Sequence, residues 1–129
     1  MDAKLITFPS FGDKSNGLLT FTESCNEIPF DIKRVFWINY TPENTLRGKH
    51  AHKLTDLVLV ANVGSVEVTV TSKTNLTQTY ILNEPNIGLY IPKNHWHTMT
   101  FSANSSLLVF ASEIYNETDY VRNFDEFLQ

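Results

Sequence analysis

The feature that most constrains the fold of this chain is a series of short β-type runs separated by turn residues. Val66-Glu67-Val68-Thr69-Val70-Thr71 alternates apolar and polar side chains, as a strand with one solvated face does. Leu57-Val58-Leu59-Val60-Ala61 is continuously apolar and reads as a strand buried on both faces. Asn62-Val63-Gly64-Ser65 between them is a turn signal. Further strands are predicted over residues 18–23, 33–40, 78–82, 88–91, 98–102 and 107–112, with polar spacers at 73–75, 83–86 and 103–106. Leu5-Ile6-Thr7-Phe8 suits an additional edge strand. Many short strands at regular spacing predict an all-β sandwich or barrel.

The period changes at the C-terminus. Tyr120, Val121, Phe124, Phe127 and Leu128 follow one face of a helix, and Asn116, with Asp119 three residues on, is the expected cap. No linker, repeat or low-complexity tract interrupts the chain, so its 129 residues are expected to form one domain over 1–129.

The net charge of −4 argues against broad nucleic-acid or membrane-surface binding, yet leaves room for a local arginine cluster around one anionic ligand. Cys25 is the only cysteine, so no internal disulfide is possible. With no stretch near the roughly 20 apolar residues of a spanning helix and no secretory core at the N-terminus, a cytoplasmic location is expected.

All four histidines lie in two clusters, Arg47-Gly48-Lys49-His50-Ala51-His52 and Pro92-Lys93-Asn94-His95-Trp96-His97. Residues two apart on a strand point the same way, so His50 and His52 face one direction together, which in a barrel can be the interior. Asp56 follows shortly after, and Gly64 closes the stretch.

These spacings resemble the two cupin motifs: Gly48, His50-x-His52, Asp56 and Gly64 in the first, Gly88, Pro92 and His97 in the second. The resemblance implies a double-stranded β-helix, a jelly-roll barrel with a site in its mouth, here with a short C-terminal helix. A closer resemblance spans most of the chain. Residues 28–35, Arg47-Gly48-Lys49-His50-Ala51-His52, Gly88-Leu89-Tyr90-Ile91-Pro92 with Trp96-His97, and the run from Ala111 to Leu128 look like the sugar 3,4-ketoisomerases. That family implies a cupin homodimer that moves the keto group of a dTDP-4-keto-6-deoxyhexose from C4 to C3, on routes to the deoxyamino sugars of surface polysaccharides.

The sequence departs from that pattern at Asp13-Lys14-Ser15-Asn16-Gly17, where relatives carry an arginine. It departs again at Phe36-Trp37, where they carry paired tyrosines, and at Thr55-Asp56, where they read Glu-Gln.

The implied chemistry is enolisation. A base takes the C3 hydrogen, an enediol forms, and a proton returns to C4. Histidine suits both directions of transfer, so His50 and His52 are the candidate catalytic pair and His52 the first choice at carbon. Tyr40 is the candidate for holding the developing oxyanion. Arg47 and Arg34 are candidates for the diphosphate, because guanidinium pairs with phosphate oxygens in two-pronged fashion. Trp96 or Trp37 can stack on the base, and His97 joins the substrate-binding set. Arg122 reads as a solvated helix residue and Cys25 as a bystander. No hydride acceptor or metal is required by this chemistry, and no Gly-rich dinucleotide loop is present.

Two other readings stand beside it. One is a metal-dependent cupin, such as a dioxygenase, with His50, His52, Asp56 and His97 as ligands. The other is a non-catalytic sugar-nucleotide binding module. The 3,5-epimerases share the cupin geometry, but the short chain and the His-Ala-His motif favour ketoisomerisation.

Overall fold

The computed structural model describes residues 2–129. Twelve strands are present: β1 (Lys4–Thr7), β2 (Ser10–Asp13), β3 (Gly17–Thr20), β4 (Arg34–Asn39), β5 (Leu46–His52), β6 (Leu57–Val63), β7 (Val66–Thr71), β8 (Thr77–Leu82), β9 (Ile87–Ile91), β10 (Trp96–Phe101), β11 (Ser106–Ala111) and β12 (Tyr120–Val121). They form two five-stranded sheets, ordered β1-β9-β6-β11-β4 and β12-β5-β10-β7-β8, with β2 and β3 as a separate hairpin. All the strand pairs are antiparallel. This is the expected all-β cupin barrel.

The apolar run in β6 divides its side chains between two cores. Leu57, Leu59 and Ala61 point into the barrel, where they meet Val66, Val68 and Val70 of β7 and Phe101 of β10. Val58 and Val60 point outward and are covered by Phe8, Ile28 and Tyr90. A strand buried on both faces carries no polar alternation. The Phe8 ring lies so close to Gly88 that a Cβ there would sit 2.7 Å from it, so β9 needs glycine at this point.

β1 takes the predicted edge position, pairing Lys4–Thr7 with β9. β2 was not predicted, because Ser10-Phe11-Gly12-Asp13 has no readable alternation. Its turn is held by Asp13, whose Oδ1 accepts from the backbone N–H of Ser15 at 3.0 Å and of Asn16 at 2.8 Å.

The C-terminus differs from the sequence expectation. A single helix from Asn116 does not form. Asn116 caps only a 3-10 turn over Glu117–Asp119, and the chain then extends as β12. The reason is the open edge of β5, where Tyr120 pairs with His52 and Val121 with Ala51. Backbone pairing at that edge overrides the helical period. The helix α1 is confined to Phe124–Leu128 and is capped by Asn123, whose Oδ1 accepts from the Glu126 N–H at 3.0 Å.

Candidate active site

The site is built on β5 where it faces β10. The register between these strands shifts between His97 and Thr98, so that His97 lies opposite His50 and Thr98 opposite Gly48. Gly48 and Lys49 absorb this irregularity with φ of +86° and +61°. A Cβ on Gly48 would stand 2.8 Å from the His97 carbonyl oxygen, so only glycine allows the close approach.

His50, His52 and His97 thereby meet in one cluster. Ring centroids are 5.1 Å apart for His50 and His52, 4.7 Å for His50 and His97, and 6.1 Å for His52 and His97. His52 and His97 are buried and His50 half-buried.

Each ring has Nδ1 directed at an oxygen. His50 faces the Gly48 carbonyl at 3.0 Å, His52 the Asp119 carboxylate at 2.9 Å, and His97 more loosely the His95 carbonyl at 3.5 Å. Such oxygens accept, so Nδ1 carries the proton in each neutral ring and Nε2 keeps its lone pair. The environment keeps the rings neutral. Burial, followed by the neighbouring His52, pushes His50 down to about 4. Burial also lowers His52, against the pull of Asp119, and takes His97 well below the usual histidine value.

Asp119 orders the deepest part of the site. Its Oδ2 accepts from Thr55 Oγ1 at 2.5 Å as well as from His52, and its Oδ1 accepts from the Leu54 N–H at 2.6 Å. Burial works against the carboxylate, but the bonds from Thr55, Leu54 and His52 outweigh it and hold the group below its ordinary value. Asp119 is therefore a fixed anion behind His52.

These rings line a cavity of about 230 Å³. Leu57, Leu59, Met99 and Val109 supply apolar lining, while Arg47, Arg122 and Tyr120 supply polar groups. Arg122 donates from Nε to Glu117 Oε1 at 2.8 Å and sits over the Tyr120 ring at 4.4 Å. Arg34 lies beside the cavity rather than in its lining. Its guanidinium packs 5.2 Å from the Phe36 centroid and 5.6 Å from that of Tyr115, and its Nε is buried without a hydrogen-bond partner.

Several sequence expectations are not met by this geometry. Tyr40 stands outside the cavity, 96 % exposed, at a turn with φ of +61° just after β4. Trp96 packs edge-on against Phe124 at 5.2 Å and against Phe127, so its indole anchors α1. Trp37 points outward, because alternation along β4 turns Phe36 and Ile38 toward the core instead. Asp56 does not join the histidines. It accepts from the Lys93 N–H at 2.8 Å while its own N–H donates to Ser112 Oγ at 2.8 Å, which ties two loops together.

Sequence reading missed Asp119, Thr55, Tyr120 and Arg122 as site residues. Asp119 was assigned to helix capping and Arg122 to a solvated helix face. The one signal available was Asp119 itself, an acid three residues after the expected cap and directly before Tyr120-Val121.

A cupin barrel with neutral imidazoles, a His–Asp pair and arginines around one cavity holds the groups that proton transfer on an anionic ligand needs. The family model described as FdtA: WxcM-like, C-terminal matches residues 1–129. The chain is 41 % identical over 128 residues to the TDP-4-oxo-6-deoxy-alpha-D-glucose-3,4-oxoisomerase of Aneurinibacillus thermoaerophilus, covering 98 % of this chain and 91 % of the relative. It superposes with a TM-score of 0.92 on a 3,4-ketoisomerase from Helicobacter canadensis, at 44 % identity and over 99 % of this chain and 96 % of the other. The sugar 3,4-ketoisomerase QdtA of Thermoanaerobacterium thermosaccharolyticum, solved with TDP, gives a TM-score of 0.93 at 39 % identity, over 98 % and 92 % of the two chains. The chain belongs to this FdtA/WxcM-like family of sugar 3,4-ketoisomerases.

Proposed function

We propose that this protein moves the keto group of dTDP-4-keto-6-deoxyglucose from C4 to C3 in deoxysugar biosynthesis. The observation that carries the reading is the His52–Asp119 pair beside His50 in a partly apolar cavity. A hydrogen next to a ketone is weakly acidic, because its removal leaves an enolate. His52 takes the C3 hydrogen through Nε2, and Asp119 stabilises the imidazolium that forms. His50, neutral and half-buried beside it, receives the proton that leaves the adjacent hydroxyl. O4 takes up a proton as the enediol forms, and the His52 imidazolium then gives its proton to C4. Incubating the protein with this substrate and reading the product by NMR tests the proposal. Conversion to the 3-keto isomer is expected, and an unchanged spectrum refutes it.

Arg47 and Arg122 in the lining, with Arg34 alongside, suit an anionic substrate. The cavity is smaller than the roughly 300–1,000 Å³ that takes a whole drug-sized ligand. It therefore takes the sugar, and the nucleotide lies across the outer surface.

One observation favours a second reading, a metal-dependent cupin. The ligand atoms of His50, His52 and His97 all lie within 4.8 Å of one another, a set suited to a divalent cation with imidazole preference. Asp56 does not complete it. Metal analysis of purified protein, with activity before and after chelation, separates the readings: stoichiometric metal and loss of turnover support this one.

We further propose a homodimer. β1 and β4 end their sheet, and Phe11, Leu18, Leu19, Val35 and Trp37 are exposed apolar residues on β2, β3 and β4. Unpaired edges and apolar patches of this kind are ordinarily covered. A dimeric mass by light scattering at micromolar concentration is expected, and a monomeric one counts against it. Among the described residues no helix is long and apolar enough to cross a membrane.

A further inference from the structure

We propose that Tyr120 is the proton donor to the substrate's carbonyl oxygen. This role rests on the isomerase reading and extends it to a residue on β12.

Moving a ketone between neighbouring carbons requires two proton transfers at oxygen as well as two at carbon. As the C3–H bond breaks, its electron pair forms C3=C4 and the C4=O π pair moves to O4, which takes up a proton. In the second half, O3 loses its proton and C3=O forms, while C4 gains a hydrogen. The site must therefore hold a proton donor as well as bases.

The imidazoles begin the reaction as bases. Their Nδ1 protons are directed at the Gly48 and His95 carbonyls and the Asp119 carboxylate, which leaves Nε2 without a proton to give. Burial disfavours the doubly protonated form of all three. Arg47 and Arg122 also line the cavity, but guanidinium groups keep their protons. The remaining lining is apolar, apart from Gly48 and one side chain. That side chain is Tyr120, among the described residues the only hydroxyl-bearing one lining the cavity.

Its placement fits the task. The Tyr120 ring lies 4.4 Å from the His52 centroid and 5.0 Å from that of His50. Pairing of Tyr120 with His52 in the β12–β5 ladder fixes it there. Its hydroxyl makes no hydrogen bond with any described residue, which leaves it free for a ligand. Phe36 also lines the cavity but has no hydroxyl to offer. Tyr120 thus gives its proton to O4, the proton leaving O3 restores the phenol by way of His50, and the His52 imidazolium gives the proton it took from C3 to C4, so each group ends as it began. The cycle closes with no oxidant or reductant.

The test is Tyr120→Phe, assayed with dTDP-4-keto-6-deoxyglucose beside the wild type. The variant keeps the ring that packs on the histidines and leaves no polar group unpaired, so the circular dichroism spectrum and melting temperature should be unchanged. Loss of a general acid lowers kcat by ~10²-fold or more with KM within about threefold. A variant whose kcat stays within about twofold of wild type overturns the role while leaving the isomerase reading intact. A wild type that leaves the substrate unchanged removes the isomerase reading, and this role with it. A fall confined to KM also overturns the role, because it makes Tyr120 a binding contact only.

Discussion

His52 Nδ1 and Asp119 Oδ2 meet at 2.9 Å although 67 residues separate them in the chain. The contact fixes which His52 nitrogen carries the proton and aims the other at the cavity. Asp119→Asn removes the charge and offers the ring an amide in place of a carboxylate. The expected result is a fall in kcat of ~10²-fold or more with a smaller change in KM, the pattern of a group that acts in the transition state. Steady-state kinetics checks it, and parallel circular dichroism distinguishes lost catalysis from lost fold.

Arg47 lines the cavity beside the histidines, and the proposed substrate is anionic. Arg47→Ala removes a charge-assisted contact of roughly 1.5–3 kcal/mol, so KM should rise about ten- to hundredfold. An unchanged KM removes Arg47 from the site.

Gly48→Ala should destabilise the protein. The new Cβ would lie 2.8 Å from the His97 carbonyl oxygen, at a φ of +86° that side chains disfavour. Thermal denaturation should show a lower melting temperature, and activity should fall as β10 and His97 are pushed from place.

Stability should depend on pH below neutrality. His50, His52 and His97 are depressed in the folded state, while the unfolded chain takes up protons near the ordinary histidine value of about 6.5. The unfolded state then binds more protons, so stability falls as pH drops through 6.5 and keeps falling to about 4, where His50 itself titrates. Denaturant midpoints measured across this window should decrease with acidity, and a flat profile contradicts the neutral cluster.

The barrel was legible because most of its strands write their burial into a period of two, as β7 does, or into an unbroken apolar run, as β6 does. The pairing of His50 with His52 was legible for the same reason. The long-range partners were not. Nothing local marks Tyr120-Val121 as a strand, because two residues carry no period and the helical phase around them is a better match. With that segment read as helix, Asp119 is a capping residue and Arg122 a solvated helix residue, whereas the structure sets Asp119 behind His52 and Arg122 in the cavity lining. Tyr40 precedes the histidine motif in sequence, but at a φ of +61° it stands outside the cavity and exposed. Trp96 is adjacent to His97 yet points to the opposite side of β10, where α1 covers it.

Isotope exchange at C3 of dTDP-4-keto-6-deoxyglucose in heavy water reports whether His52 moves the proton at carbon. Wild type should exchange the C3 hydrogen, and His52→Asn should abolish that exchange and lower kcat by at least ~10²-fold while the fold is kept. If His52→Asn exchanges at the wild-type rate and His50→Asn does not, His50 is the carbon base. If both variants exchange normally, the histidine-base mechanism is wrong.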